Sequence, residues 1–301
     1  MDEVIYQADL DKLLNLLKNL LSQQAPDDAM AWLANKQTQI FEEKEEKSDH
    51  LYFMTFSAIS SYFGKDLLKL TEEHLKQMNA IRKNWQPHDW SLSQTARTYL
   101  LLSFARSRLE HFKKTTDKLF GAADVNESIA LYQALPLFPY PKQFLLHATN
   151  GIRSNMLSVF EAIALNNPYP ADYFDEIAWN QVVLKTLFVE SPIEKVVGLK
   201  QRANPLLAKA LLNTARERLA ADRPIKLELW CLLGLSADKE MLASLKECLK
   251  SENPLLKKGA LLACHYCQLP EARDVLKNYV EDEKTIATDL QQLRPLEKSL
   301  T

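Results

Sequence analysis

Glycine scarcity constrains this chain more than any other feature: six glycines in 301 residues, against an average usage of about 7%. Doubly wound sheets and phosphate-cradling loops need glycines in clusters, because their tight turns and close backbone approaches leave no room for a Cβ. Here they are scattered, at Gly64, Gly121, Gly151, Gly198, Gly234 and Gly259. There is no G-x-G-x-x-G and no G-K-[ST], so Rossmann and P-loop nucleotide chemistry is excluded. Alternation of apolar and polar residues over five or more positions is also absent, and the only strand candidate, Glu194–Leu199, is short and sits in a loop context. The expected fold class is all-α.

Helical spacing supports this. Leu10, Leu13, Leu14, Leu17 and Leu21 form one stripe. Gln23–Asp27 breaks it, and a second, polar-rich helix runs into the charged stretch Glu42–Lys47, read as a solvated helix end. Leu51–Phe63 is aromatic-rich and stops at Gly64, a C-cap candidate. Leu67–Lys83 and Ser91–Phe112 read as two longer helices, and Thr115–Ala123 as a weak stretch marking a boundary. The organisation expected is an N-terminal helical region over 1–123 and a helical-repeat region over 124–301, continuous with it. In the C-terminal third, Asn204-Pro-Leu-Leu and Asn253-Pro-Leu-Leu start 49 residues apart (253 − 204). Asn is a favoured N-cap, and Pro is tolerated at the first helical position because its missing N–H would be unpaired there anyway. Helix pairs at this spacing read as antiparallel pairs stacked in a HEAT/armadillo-like α-solenoid, and Asn253–Val280 resembles a HEAT repeat.

Charge and cysteine usage narrow the function classes. Lys+Arg number 37 and Asp+Glu 39, a formal net charge of −2, without the basic excess of nucleic-acid-binding domains. The start, MDEVIYQADLDKLL, lacks the apolar core of a signal peptide, and no apolar run approaches the ~20 residues of a transmembrane segment. Cys231, Cys248, Cys264 and Cys267 lie within apolar helical pattern, which suits a reducing, cytoplasmic setting. Cys264-His-Tyr-Cys267 is a lone C-x-x-C on an apolar stripe and reads as core. His50, His74, His88, His111 and His265 stand alone in separate segments. No nucleophile elbow and no H-E-x-x-H is present, and no cofactor is implied.

The central segment is less generic. Phe138-Pro-Tyr-Pro141 and Asn166-Asn-Pro-Tyr-Pro170 flank an apolar stripe of Leu145, Ala148, Ile152, Met156, Val159 and Ile163. The unbroken phase predicts one helix over Lys142–Leu165, about 36 Å long, with the two loops at its opposite ends; a split at Asn150-Gly151 would bring them to one side. The helix's other face carries His147, Asn150, Ser154, Ser158 and Glu161, with Gly151 marking a close approach by a neighbouring helix or by a ligand.

These strings resemble the EboA family: Leu131–Pro141, Gly151–Asn155, Val159–Phe174, Ala178–Lys185 and Gly198–Pro205. The resemblance covers about a hundred residues. It implies a cytoplasmic helical protein encoded beside other Ebo proteins, which look like a UbiA-type prenyltransferase, a TatD-like hydrolase, a TIM-barrel protein and a dehydroquinate-synthase-like protein. It further implies a part in making a secondary-metabolite precursor or moving it to the periplasm.

The candidate binding residues are Tyr140, His147, Arg153, Asn155, Glu161, Asn166, Asn167, Tyr169, Asn180 and Arg202. Two readings of this polar concentration stay open: turn and helix-cap chemistry, or a groove for a ligand or partner. Arg202, just ahead of a helix start, could receive an anion there, or Asn204 could cap that helix. Asp172, Asp175 and Glu176, at i, i+3 and i+4, would share one helix face and form a candidate divalent-metal site. The function expected is a non-catalytic helical-repeat protein that binds a metabolite, or docks other Ebo proteins, through the groove around 140–180. The alternative is a metal-dependent enzyme acting on a small aromatic or prenylated intermediate.

Overall fold

The computed structural model describes residues 2–279 and 289–300; Val280, the last residue of the second repeat copy, lies outside them. The described residues are helical, and their only extended pairing is an isolated bridge between Leu67 and Ser91. They form two compact units that divide between Tyr173 and Phe174.

The first unit holds α1 (Asp2–Gln24), α2 (Asp27–Glu42), α3 (Glu45–Phe63), α4 (Glu72–Ile81), α5 (Leu92–Ser107), α6 (Leu109–Ala122), α7 (Val125–Ala134), α8 (Leu145–Arg153), α9 (Leu157–Ala164) and α10 (Tyr169–Tyr173). Its centre is α5, which packs against α1, α3, α6 and α7. That position explains its composition: Ala96, Leu100, Leu101, Leu102, Phe104 and Ala105 are all buried, and so are Thr95, Thr98 and Arg97. A buried guanidinium needs partners. Arg97 Nε donates to the Phe56 carbonyl at 3.1 Å, and the group lies 5.5 Å from the Phe56 ring centre. On α1 the expected stripe faces inward, with Leu10, Leu13, Leu17 and Leu21 buried.

Helix ends follow capping chemistry. Thr71 with His74, Ser91 with Gln94 and Asp124 with Glu127 form reciprocal capping boxes, and Gly64 ends α3 at φ 66°. Three expected boundaries shift. The helix expected over Leu67–Lys83 is confined to Glu72–Ile81, because Thr71 starts it and the Leu68 N–H is taken by the Trp90 carbonyl at 2.8 Å. The helix expected over Ser91–Phe112 breaks at Arg108 (φ −138°, ψ 57°). Arg108 Nη2 there donates to the carbonyls of Ile40, Phe41 and Glu43, at 3.2, 3.3 and 2.6 Å, neutralising the C-terminal end of α2. Thr115–Ala123 belongs almost wholly to α6.

The threonines that made α6 look weak are used in packing. Thr115 Oγ1 donates to Asp49 of α3 at 3.0 Å. His111 Nε2 and Lys118 Nζ lie 3.1 and 3.0 Å from the same carboxylate. Burial alone would raise the Asp49 pKa; the bonds from Lys118, Thr115 and His111 outweigh it and hold the group below its ordinary range. A depressed folded pKa contributes stability above the unfolded-state pKa and loses it as pH falls through the folded value. Asp49→Asn is therefore expected to cost about 1.5–3 kcal/mol at pH 7, with the difference from wild type shrinking below about pH 4. Urea unfolding at pH 7 and pH 3 checks this; an equal difference at both values would contradict it.

The second unit holds α11 (Glu176–Phe188), α12 (Pro205–Ala220), α13 (Leu227–Leu235), α14 (Lys239–Leu249), α15 (Pro254–Tyr266), α16 (Pro270–Lys277) and α17 (Arg294–Leu300). The two Asn-Pro starts behave as the sequence predicts. Asn204 accepts from the Leu207 N–H at 2.9 Å, and Asn253 from Leu255 and Leu256 at 3.0 and 3.1 Å. Along the chain α12 packs on α13, α14 on α15 and α15 on α16, and α13 lies against α15. Glycine sets that last approach from both sides. A Cβ on Gly234 would lie 2.1 Å from the Ala263 carbonyl oxygen, and one on Gly259 would lie 2.1 Å from the Trp230 ring. All four cysteines are free and buried. Burial pushes the Cys264 thiol up to about 12 and raises that of Cys231. Thiols so hard to ionise suit a core rather than metal or redox chemistry.

Candidate functional site

The central segment departs from the single helix expected over Lys142–Leu165. The chain leaves α8 at Ser154–Met156 and turns back as α9, which packs on α8. Ser154 stabilises the turn, its Oγ accepting from the Met156 N–H at 3.1 Å. The apolar residues stay in phase on both sides of the break, with Ala148, Ile152, Val159 and Ile163 buried, while Met156 at the break is exposed. The fold-back joins the two Pro-Tyr-Pro segments: buried Tyr169 donates its hydroxyl to the Pro141 carbonyl at 2.6 Å. Burial raises the Tyr169 pKa, so the hydroxyl stays a donor. Tyr140, half-buried, takes a left-handed backbone (φ 53°, ψ 52°) to enter the Pro141–Phe144 turn.

Several of the expected binding residues in this unit make contacts that hold the fold. Asn167 is buried; its amide nitrogen donates to the Tyr132 and Ala162 carbonyls at 3.0 and 3.1 Å, and its oxygen accepts from the Tyr169 N–H at 2.9 Å. Asn166 is left-handed (φ 51°) and donates to Asp89 at 3.2 Å. Gly151 makes room for the Tyr132 ring, which a Cβ would approach to 2.5 Å. His147 stacks on Phe120 (centroids 4.2 Å apart, planes at 11°), with Nε2 2.8 Å from Asp117. Asp117 also accepts from Lys113 at 2.5 Å. Arg153 and Asn155 are exposed where α8 gives way to α9, and Glu161 is half-buried on α9.

In the second unit Asn180 and Asn204 exchange amide bonds of 3.2 and 2.8 Å. The Arg202 guanidinium stacks 5.3 Å over Trp179 and donates to the Phe174 carbonyl at 2.9 Å. Of the two uses considered for the start of α12, the structure therefore shows the Asn204 cap. The shared helix face proposed for Asp172, Asp175 and Glu176 does not form. Asp172 belongs to α10 and pairs with Arg82; Asp175 is the N-cap of α11, accepting from Ala178 at 2.8 Å; Glu176 is that helix's first residue. Among the described residues no three His, Cys, Asp or Glu side chains stand together as a metal would need.

Concave space suited to a ligand occurs in the second unit. A cavity of about 110 Å³ is lined by Leu219, Ile225, Leu227, Trp230, Leu255, Lys258, Gly259, Leu262 and Asp289. The end of α12, the start of α13 and α15 from Leu255 to Leu262 build it, with Asp289. Gly259 lets the Trp230 indole lie flat on α15. Most of the lining is hydrocarbon; its charged groups are Lys258 and Asp289, paired at 2.8 Å with the carboxylate nearly buried and the ammonium half-exposed. An apolar cavity of ~150 Å³ accepts benzene, so this smaller space has room for a short branched chain or part of a ring rather than a whole drug-sized molecule. The sequence shows Trp230 only as one apolar residue in a run, and nothing in the spacing connects it to Lys258 or Asp289.

The model of a protein family described as "Metabolite traffic protein EboA" matches residues 13–234 of the chain. Neither curated proteins nor solved structures show a match. The matched stretch includes Leu219, Ile225, Leu227 and Trp230; the α15 side of the cavity lies beyond it. No helix among the described residues is long and apolar enough to cross a membrane.

Proposed function

The chain belongs to the EboA family, and from that premise we propose that it is a non-catalytic binding protein, holding a small metabolite by its apolar end in the Trp230 cavity. The observation that carries the proposal is the cavity itself: hydrocarbon walls, an indole face and one ion pair, the mostly apolar lining with few polar groups of a small-molecule site. Lys258 and Asp289 would orient a polar substituent at one side. The pairs α12–α13 and α15–α16 are read as HEAT-like repeats, a scaffold that commonly offers concave binding surfaces. The setting proposed is the cytoplasm, and the cargo a secondary-metabolite precursor.

Ligand-observed NMR with p-cresol tests the site. Saturable binding is expected for the wild type, with a loss of about tenfold or more in Leu262→Phe, where one added ring fills the space. A circular dichroism melt confirms that the variant folds. Equal binding by both proteins, or none by the wild type, would contradict the assignment.

A further inference from the structure

A second recess in the same unit has a different chemistry. Leu184, Leu187 and Phe188 of α11, Thr214 and Arg218 of α12, and Lys226 and Leu229 at the start of α13 surround a slot of about 40 Å³. Its floor is aliphatic. Phe188, 74% exposed, stands at its edge. Both charged residues in the lining are cations. Arg218 Nε donates to the Pro224 carbonyl at 2.7 Å, which fixes the guanidinium beside the slot; its two terminal nitrogens bond to nothing among the described residues. Lys226 faces the Glu190 carboxylate at 3.9 Å, a loose pair between half-exposed and exposed groups. Glu190 reaches this place from a left-handed backbone (φ 61°) just past the end of α11.

We propose that this slot binds an amphipathic anion, with a carboxylate or phosphate held by Arg218 and Lys226 and a short hydrocarbon tail laid along Leu184, Leu187, Phe188 and Leu229. An arginine anchored through one nitrogen presents the rest of its fork to an oxyanion. The tail gains by covering Phe188 and the aliphatic floor. Glu190 then acts as a resident competitor: its carboxylate occupies Lys226 weakly and yields to a ligand that brings both a charge and a tail. The proposal is independent of the Trp230 cavity, whose lining shares no residue with this slot.

Isothermal titration with hexanoate, hexyl phosphate and hexanol tests it. Binding of at least one anion is expected, with hexanol at least about tenfold weaker, since charge-assisted hydrogen bonds supply that much; whichever anion binds more tightly identifies the head group. Arg218→Gln with Lys226→Gln should remove the preference for the anion. Glu190→Gln should tighten binding, and added salt should weaken it. Equal binding of hexanol and the anions, binding of none, or anion binding that survives the double variant but is lost in Leu262→Phe, would each overturn the assignment.

Discussion

Gly234→Ala is expected to destabilise the protein by about 3 kcal/mol, the upper end of what overpacking costs. The new methyl group would meet a backbone carbonyl, that of Ala263, at 2.1 Å. No side chain can rotate out of the way, so α13 and α15 must separate, and the indole of Trp230 packs on Gly259 along the same helix pair. Gly121→Ala is the matched control. Gly121 lies in the last turn of α6 with open space where its Cβ would stand. Alanine there should stabilise by roughly 0.5–1 kcal/mol, through helix propensity and a less flexible unfolded chain. Urea unfolding of the two variants should move in opposite directions. A similar shift for both would show that α13 and α15 do not meet at Gly234.

Asn167→Ala should cost about 3–5 kcal/mol. The side chain is buried and makes three hydrogen bonds, tying the end of α9 to α7 and shaping the turn into α10. Truncation leaves two carbonyls and one N–H without partners in the interior, at roughly 1–3 kcal/mol each before relaxation. Arg153→Ala, at an exposed position, should stay within about 0.5 kcal/mol. The comparison separates the two ideas the sequence left open for this segment. A binding residue is lost without loss of fold, whereas Asn167 should take the fold with it. An Asn167→Ala protein that melts like the wild type would show that its bonds are dispensable.

What could be read from the sequence was local. Asn204-Pro and Asn253-Pro start helices because a cap and a first-turn proline act within four residues. Gly64 ends α3 for an equally local reason. The Leu10–Leu21 stripe finds its inward face by periodicity alone. What could not be read depends on partners far along the chain. Arg108 interrupts a good helical pattern because carbonyls about 65 residues earlier need it. The turn at Ser154–Met156 is invisible to periodicity, since the buried apolar residues of α8 and α9 keep one phase across it although Met156 itself is exposed. Gly121 and Gly234 look alike in sequence and differ only in what stands opposite them.

The candidate site shows the same division. His147 was recognisable as unusual from its polar face, but its partner Asp117 lies 30 residues upstream with no spacing to connect them. Asn166, Asn167 and Tyr169 belong to a polar concentration in the sequence, with turn chemistry as its other reading. The structure assigns Asn167 and Tyr169 to holding the fold-back closed. The acidic trio around Asp172 failed as a shared face because Asp175 starts a new helix, as its own capping chemistry dictates. Trp230 and Lys258 carried no local signal; only folding α13 onto α15 places them on one cavity.

The central claim, a metabolite seated in the Trp230 cavity, is tested most directly by native mass spectrometry of the protein purified from its own host, run beside the Leu262→Phe variant prepared identically. The account predicts a small-molecule adduct on the wild type that is absent from the variant, whose ligand-free mass differs only by the substitution. A wild type that is wholly ligand-free, or an adduct carried equally by both proteins, would contradict it.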